Sequence, residues 1–120
     1  MSFETDCQSL IDKNSDLALL VINLETGAIS ATKKWRTINQ VPNGEQVTRS
    51  LLMSTIDTDS ITPYVEFSKA FFASDTLNER ASIDLNLRTF KGDQFRGHVT
   101  AYKKELGGVL CAITEVQPVE

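Results

Sequence analysis

Asp57 and Asp59 stand two residues apart, close enough to suggest a carboxylate pair for acid–base work. Such work requires both to converge on a pocket that shifts their pKa values. The run Asp57-Thr58-Asp59-Ser60, with Pro63 behind it, is also a helix-start signal, and capping is the simpler account. His98 is the only histidine. Without Cys, His or carboxylate at ligand spacing it is poor evidence for a metal, and it reads as a surface or interface residue able to respond near neutral pH. Cys7 and Cys111 lie far apart with no CxxC partner, the usage of a reduced, cytoplasmic protein. A bridge between them would need a close Cα approach. Asn23 sits in an apolar run and must find hydrogen-bond partners there, either local backbone or a ligand. No nucleophile elbow, phosphate loop or metal set is present, and Gly107-Gly108 is too short to cradle a phosphate. The residues point to a non-enzymatic protein.

At 120 residues the chain makes one domain, long enough to bury a core without disulfides or metal. Its net charge of −4 argues against a nucleic-acid or anionic-membrane partner, either of which calls for a basic patch. Lys33, Lys34 and Arg36 form the densest basic group and read as a solvated helix face. No apolar run approaches the roughly 18 residues of a membrane span. The first residues carry Glu4 and Asp6 and no basic region, unlike a signal peptide.

The elements that position these residues follow from periodicity. Phe3, Cys7, Leu10 and Ile11 recur at helical spacing, so residues 1–16 predict a helical cap with an apolar stripe. Leu17 to Leu24 is a continuous apolar run of strand length, buried on both faces. Glu25-Thr26-Gly27 turns the chain into a short edge strand, Ala28 to Ala31. Thr32 is placed to cap a helical turn through Trp35 and Ile38. Pro42, Asn43 and Gly44 make residues 40–46 a loop. Leu51 to Met53 reads as a short helix or turn. From Ile61 a longer helix carries Tyr64, Val65, Ser68, Phe71 and Phe72 on one face, with Phe67 beside it, and ends at Ser74-Asp75-Thr76. Residues 82–88, 95–102 and 109–114 alternate or run apolar as strands, joined by turns at Lys91-Gly92-Asp93 and Lys103 to Gly108. Strands at both ends with helices between them predict an α+β domain. One antiparallel sheet would carry helices on one face.

That order resembles the PAS (Per-ARNT-Sim) domain family over Leu17 to Val116. Four stretches carry the resemblance: the hairpin of Leu20 to Ile29, the turn Ile56-Asp57-Thr58-Asp59, the hairpin Phe90-Lys91-Gly92-Asp93-Gln94-Phe95, and the closing strand Gly108 to Glu115 with Ala112-Ile113-Thr114-Glu115. Ala112 stands where the family often has Asp, an acid that often links the sensor to its output helix. The resemblance implies a PAS-like domain over residues 17–116, a five-stranded sheet in the order 2-1-5-4-3, and an exit toward an output domain over residues 117–120. It also implies a cavity between the concave face and the helices. Leu85, Leu87, Gly97 and Val99 would line it, with Ile83, Phe95 and Ala101. Val21 and Asn23 would join them from the first strand by the family's register, and Leu110 and Ala112 from the last. Phe67, Phe71, Trp35 and Leu52 would close it. Close packing of these same side chains into a core is the competing account. Ile22, Val109 and Ile113 would face the other side with Leu20 and Cys111. There they would meet Phe3 and Leu10 of the N-terminal helix or a second chain.

By that resemblance the chain is a bacterial-type sensory or regulatory module of signal transduction. It would bind a small cytosolic ligand and signal through homodimer geometry to an output domain outside these 120 residues. The outputs usual for the family are kinases, cyclic-dinucleotide enzymes and transcription regulators. A ligand-free module that dimerises through the N-terminal helix and the outer sheet face, with Phe3, Leu10, Ile22, Val109 and Ile113 at the contact, is the alternative. No cofactor is predicted. The lack of a histidine in the long helix argues against haem, and the lack of the photoactive cysteine motif argues against a light-oxygen-voltage-type flavin.

Overall fold

The computed structural model describes residues 2–119. In chain order its elements are α1 (Phe3–Lys13), β1 (Leu19–Asn23), β2 (Ile29–Ala31), α2 (Lys33–Ile38), α3 (Arg49–Ser54), a 3-10 turn (Thr58–Ser60), α4 (Ile61–Ala73), β3 (Ala81–Arg88), β4 (Gln94–Leu106) and β5 (Val109–Val119). The five strands form one antiparallel sheet in the order β2-β1-β5-β4-β3, as expected. The apolar β1 and β5 lie at its centre, where both faces are covered. Short β2 and alternating β3 take the edges.

Side-chain caps set the helix starts. Thr32 is fully buried, and its hydroxyl donates to the Leu17 carbonyl at 2.6 Å while accepting from the Leu19 and Trp35 N–H groups. One residue thus caps α2 and ties it to the start of β1. Thr48 caps α3 and Asp57 caps the 3-10 turn.

Two boundaries differ from the sequence reading. The second turn of the meander was expected over Lys103 to Gly108. It occupies only Gly107 and Gly108, whose φ values of 55° and 79° are both positive. A two-residue hairpin with that geometry needs no further residues, so β4 continues through Lys103, Lys104 and Glu105. The last strand was expected to end at Thr114, with residues 117–120 leaving the sheet. It runs to Val119, with Pro118 opposite Gly97. The Val116 N–H donates to Ala18, so the Pro118 nitrogen, two residues on, points past the end of β1. There a missing N–H removes no ladder bond.

The pairing fixes the faces, because residues opposite each other share one. Leu20 pairs with Thr114 and Ile22 with Ala112, on the inner face covered by α2, α3 and α4. Val21 pairs with Ile113 and Asn23 with Cys111, on the outer face covered by α1. The assignment of Val21 and Asn23 to the cavity, and of Ile22 to the outer face, is therefore off by one residue. β1 is apolar at four consecutive positions, so alternation carried no information about its register.

Each face has its own core. Leu20, Trp35, Leu51, Ile56, Leu85 and Leu87 fill the inner one. Cys7, Val21, Leu106, Cys111 and Ile113 fill the outer one, with Phe3, Leu10 and Val109 packed against it. Phe3, Leu10, Val109 and Ile113, expected at a contact with the helix or a second chain, thus meet within one chain.

Candidate functional site

α4 is the least embedded element of the inner layer. Its first turn is fixed by the 3-10 turn, where Ser60 accepts the Asn86 N–H at 2.9 Å and Asp57 accepts from Thr58, Arg88 and Gln94. Its last turn is fixed by Lys103, whose ammonium donates to the carbonyls of Phe72 and Ser74. Between these anchors no residue of α4 is fully buried. Phe67, Phe71 and Phe72 pack on one another, with ring centroids 6.4 and 5.3 Å apart.

Space remains on three sides of the helix. Directly beneath it lies a cavity of about 40 Å³, walled by Phe67, Ser68 and Phe71 above and by Val99, Ala112 and Thr114 below. A groove of about 610 Å³ opens toward β1 and α3, past Ile22, Leu52, Met53 and Val65. A cleft of about 590 Å³ opens toward β3, past Pro63, Glu79, Arg80 and Ile83. The groove shares Tyr64, Ser68 and Phe72 with the cavity, and the cleft shares Phe67, Phe71 and Ile83 with it. One helix separates three spaces with common walls.

The expected site residues divide accordingly. Phe67, Phe71 and Val99 line the cavity, and Leu52 lines the groove. Trp35, Leu85 and Leu87 are buried in the inner core. A Cβ at Gly97 would meet Leu87 Cδ1 at 2.5 Å, so this glycine admits a core side chain. Leu110 is half-buried on the inner face, opposite Glu105. Val21 belongs to the outer core. Asn23 borders the groove, but its Oδ1 accepts the N–H groups of Glu25 and Thr26 at 2.8 and 3.2 Å, so it shapes the hairpin.

Sequence reasoning missed Lys103 and Thr114. Both continue an inner-face alternation, Lys103 after Val99 and Ala101, Thr114 after Ala112. Placing Lys103 in a turn hid the first signal.

The remaining polar residues serve structure. Asp57 Oδ1 meets Arg88 at 3.0 Å and Oδ2 meets Gln94 at 2.9 Å, while Asp59 accepts from Asn86 at 3.1 Å. The two carboxylates therefore tie the 3-10 turn to β3 and β4 and do not converge on the cavity. His98 Nδ1 lies 2.6 Å from Asp84 on the outer face, with both side chains largely exposed. Among the described residues no three potential ligands converge on a metal position. Cys7 and Cys111 are free and buried under α1, on the far side of the sheet from α4. Burial pushes both thiols above the ordinary range. No helix among the described residues is long and apolar enough to cross a membrane.

No family model and no curated protein matches the sequence. The structure does resemble solved ones. A light-oxygen-voltage domain studied with a flavin analogue superposes with a TM-score of 0.73 at 12% identity, over 90% of this chain and 81% of that one. The PAS domain of an HTR-like protein from Haloarcula marismortui gives 0.65 at 14% identity, over 97% and 93%. A fungal light-oxygen-voltage photoreceptor gives 0.66 at 13% identity, over 86% and 73%. These matches overturn the argument against a flavin: light-oxygen-voltage structures share this architecture despite the missing cysteine motif. A flavin ring system exceeds the 40 Å³ cavity, so room for one directly beneath α4 would require that helix to be raised. No thiol of the described residues faces that space. Strand order, element order and superposition agree, and the chain has the PAS fold.

Proposed function

We propose that this domain is a sensory module of signal transduction that holds a small organic ligand beneath α4. The observation that carries the reading is the state of α4, pinned at both ends and nowhere fully buried, over a cavity that shares its walls with two larger spaces. Ligand sites are concave, mostly apolar and carry a few placed polar groups, here Ser68 and Thr114, with Lys103 beside the Phe71 ring. A ligand that favours a raised α4 shifts the population of that state. An output domain would receive the change. A flavin is one ligand the reading admits, because the structures this chain resembles include light-oxygen-voltage domains. The reading is non-enzymatic and cytoplasmic, supported by the capping role of Asp57 and by the two free thiols.

Native mass spectrometry of freshly purified protein, with the denatured mass as control, tests it. The expected result is an additional non-covalent mass per chain, and a bound flavin would add its visible absorption. A bare chain that gains no mass from a small-molecule library would sink the reading. In that case a dimerisation module is the better account. Its contacts would fall on the exposed apolar residues Phe72, Leu77, Phe90 and Val119, because the outer face is occupied by α1.

A further inference from the structure

Lys103 is an unusual residue for its position. It lies on the inner face after Val99 and Ala101, opposite Ala112, and only 5% of it is exposed. Its ammonium stands over the Phe71 ring, 5.3 Å from the centroid, so it adjoins the wall of the cavity. The ion pairs among the described residues are Arg88 with Asp57 and His98 with Asp84, and Lys103 belongs to neither. A buried charge is costly without a partner of opposite sign. The carbonyl end of α4 supplies part of one, equivalent to roughly half an elementary charge. An ammonium also has three donors. Among the described residues two of them go to Phe72 and Ser74, and the Phe71 ring takes the remaining side of the ammonium, so its partners are neutral groups.

No carboxylate pairs with it among the described ion pairs, and of the two spaces that the Phe71 ring lines, the cleft carries Glu66, Glu79 and Arg80 whereas the cavity beneath α4 is mostly apolar. Phe71, Phe72, Ala101 and Ala112 line that cavity. The groove beyond, reached past Tyr64, Ser68 and Phe72, extends the apolar path toward Leu52 and Met53. We propose that the molecule held beneath α4 is an elongated apolar acid, its tail between α4 and the sheet and its carboxylate on Lys103 Nζ. This rests on the reading of that space as a ligand site. It adds a chemical class and a recognition residue. Because the same ammonium pins the last turn of α4, an incoming carboxylate competes with the Phe72 and Ser74 carbonyls. Binding of the acid therefore loosens the end of the helix that must move.

The test compares decanoate with 1-decanol, which share a chain and differ in the head group. Calorimetric titration of wild-type protein is expected to give decanoate at least a tenfold advantage. Lys103→Met keeps an apolar stem of similar length and is expected to erase that advantage. Lys103→Arg is expected to retain it, and circular dichroism confirms that each variant is folded. Equal binding of acid and alcohol to wild type, or an unchanged preference in Lys103→Met, overturns the acid while leaving the ligand site. Should neither probe bind, native mass spectrometry of the same sample separates the two claims. A copurified neutral molecule sustains the site and removes the acid, whereas an empty chain removes both.

Discussion

Cys7 and Cys111 are protonated residents of the outer core, and their environment gives them a measurable signature. Cys111 is fully buried and Cys7 is 5% exposed. Burial raises both pKa values, and at Cys111 the neighbouring Cys7 and Glu25 add to the effect. The sign of the linkage follows. The folded state holds these protons more tightly than the unfolded chain, whose thiols titrate near 9.0. Their contribution to stability is complete below that value and is lost as pH rises above it. Urea denaturation in steps from neutral pH upward is expected to show a falling midpoint above pH 9, and Cys111→Ala is expected to flatten the fall. A midpoint independent of pH in this range would contradict the burial. The place of Cys111 on the outer face and of α1 as its cover was legible from the strand alternation and the helical stripe, whereas the closeness of the two thiols was not. Thr32 was legible, since a threonine before a helical stretch has few other uses. Lys103 was not, because lysine is the residue type least expected to finish an inner-face alternation.

At the scale of elements, the docking of α1 turns on one glycine. Gly107 has φ +55°, and a Cβ there would lie 2.4 Å from the Phe3 nitrogen and 2.7 Å from its Cα. Its N–H donates to Asp6 in the first turn of α1 at 2.9 Å. The β4–β5 turn and the start of α1 are thus in backbone contact, and no side chain fits between them. Gly108 has φ +79° and open space around it. This difference separates two costs. Gly108→Ala is expected to lose about 1 kcal/mol, from the left-handed conformation alone. Gly107→Ala adds the collision and is expected to lose about 2 kcal/mol or more, with α1 lifted from the sheet. Lifting it uncovers both cysteines, so thiol labelling under native conditions is expected to accelerate in Gly107→Ala and not in Gly108→Ala. Equal labelling rates would show that α1 is held by its apolar stripe alone. The stripe itself was plain in the sequence, from Phe3, Cys7, Leu10 and Ile11 at helical spacing. The outer-face residues of β5 beneath it were legible too, but those of β1 were not, because β1 is apolar on both sides and either register buries it equally well.

Across the whole molecule, β5 is the central strand that touches both layers, flanked by β1 and β4. Ala112 and Thr114 point to the cavity beneath α4, while Cys111 and Ile113 point to the core beneath α1. Successive side chains of one central strand therefore join the proposed ligand site to the N-terminal helix, with no loop between. A shift forced on the inner side chains is passed along the strand, because the outer face is close-packed and has no room to absorb it. The two ends of that route differ in stability. Backbone amides of β1 and β5 sit at the sheet centre between two cores, whereas α4 is held by its ends and covers incompletely filled space. Local opening is easiest where few apolar contacts must break. Hydrogen exchange is therefore expected to be faster through residues 64–73 than through residues 19–23 and 110–116. Saturating decanoate is expected to slow exchange in the middle of α4 by several-fold and to alter it in α1, although no probe atom reaches α1. Exchange in α4 as slow as in β5 would mean that the helix is part of the rigid core. A change confined to α4 would keep the ligand site and remove β5 as the route by which its occupancy reaches the rest of the domain.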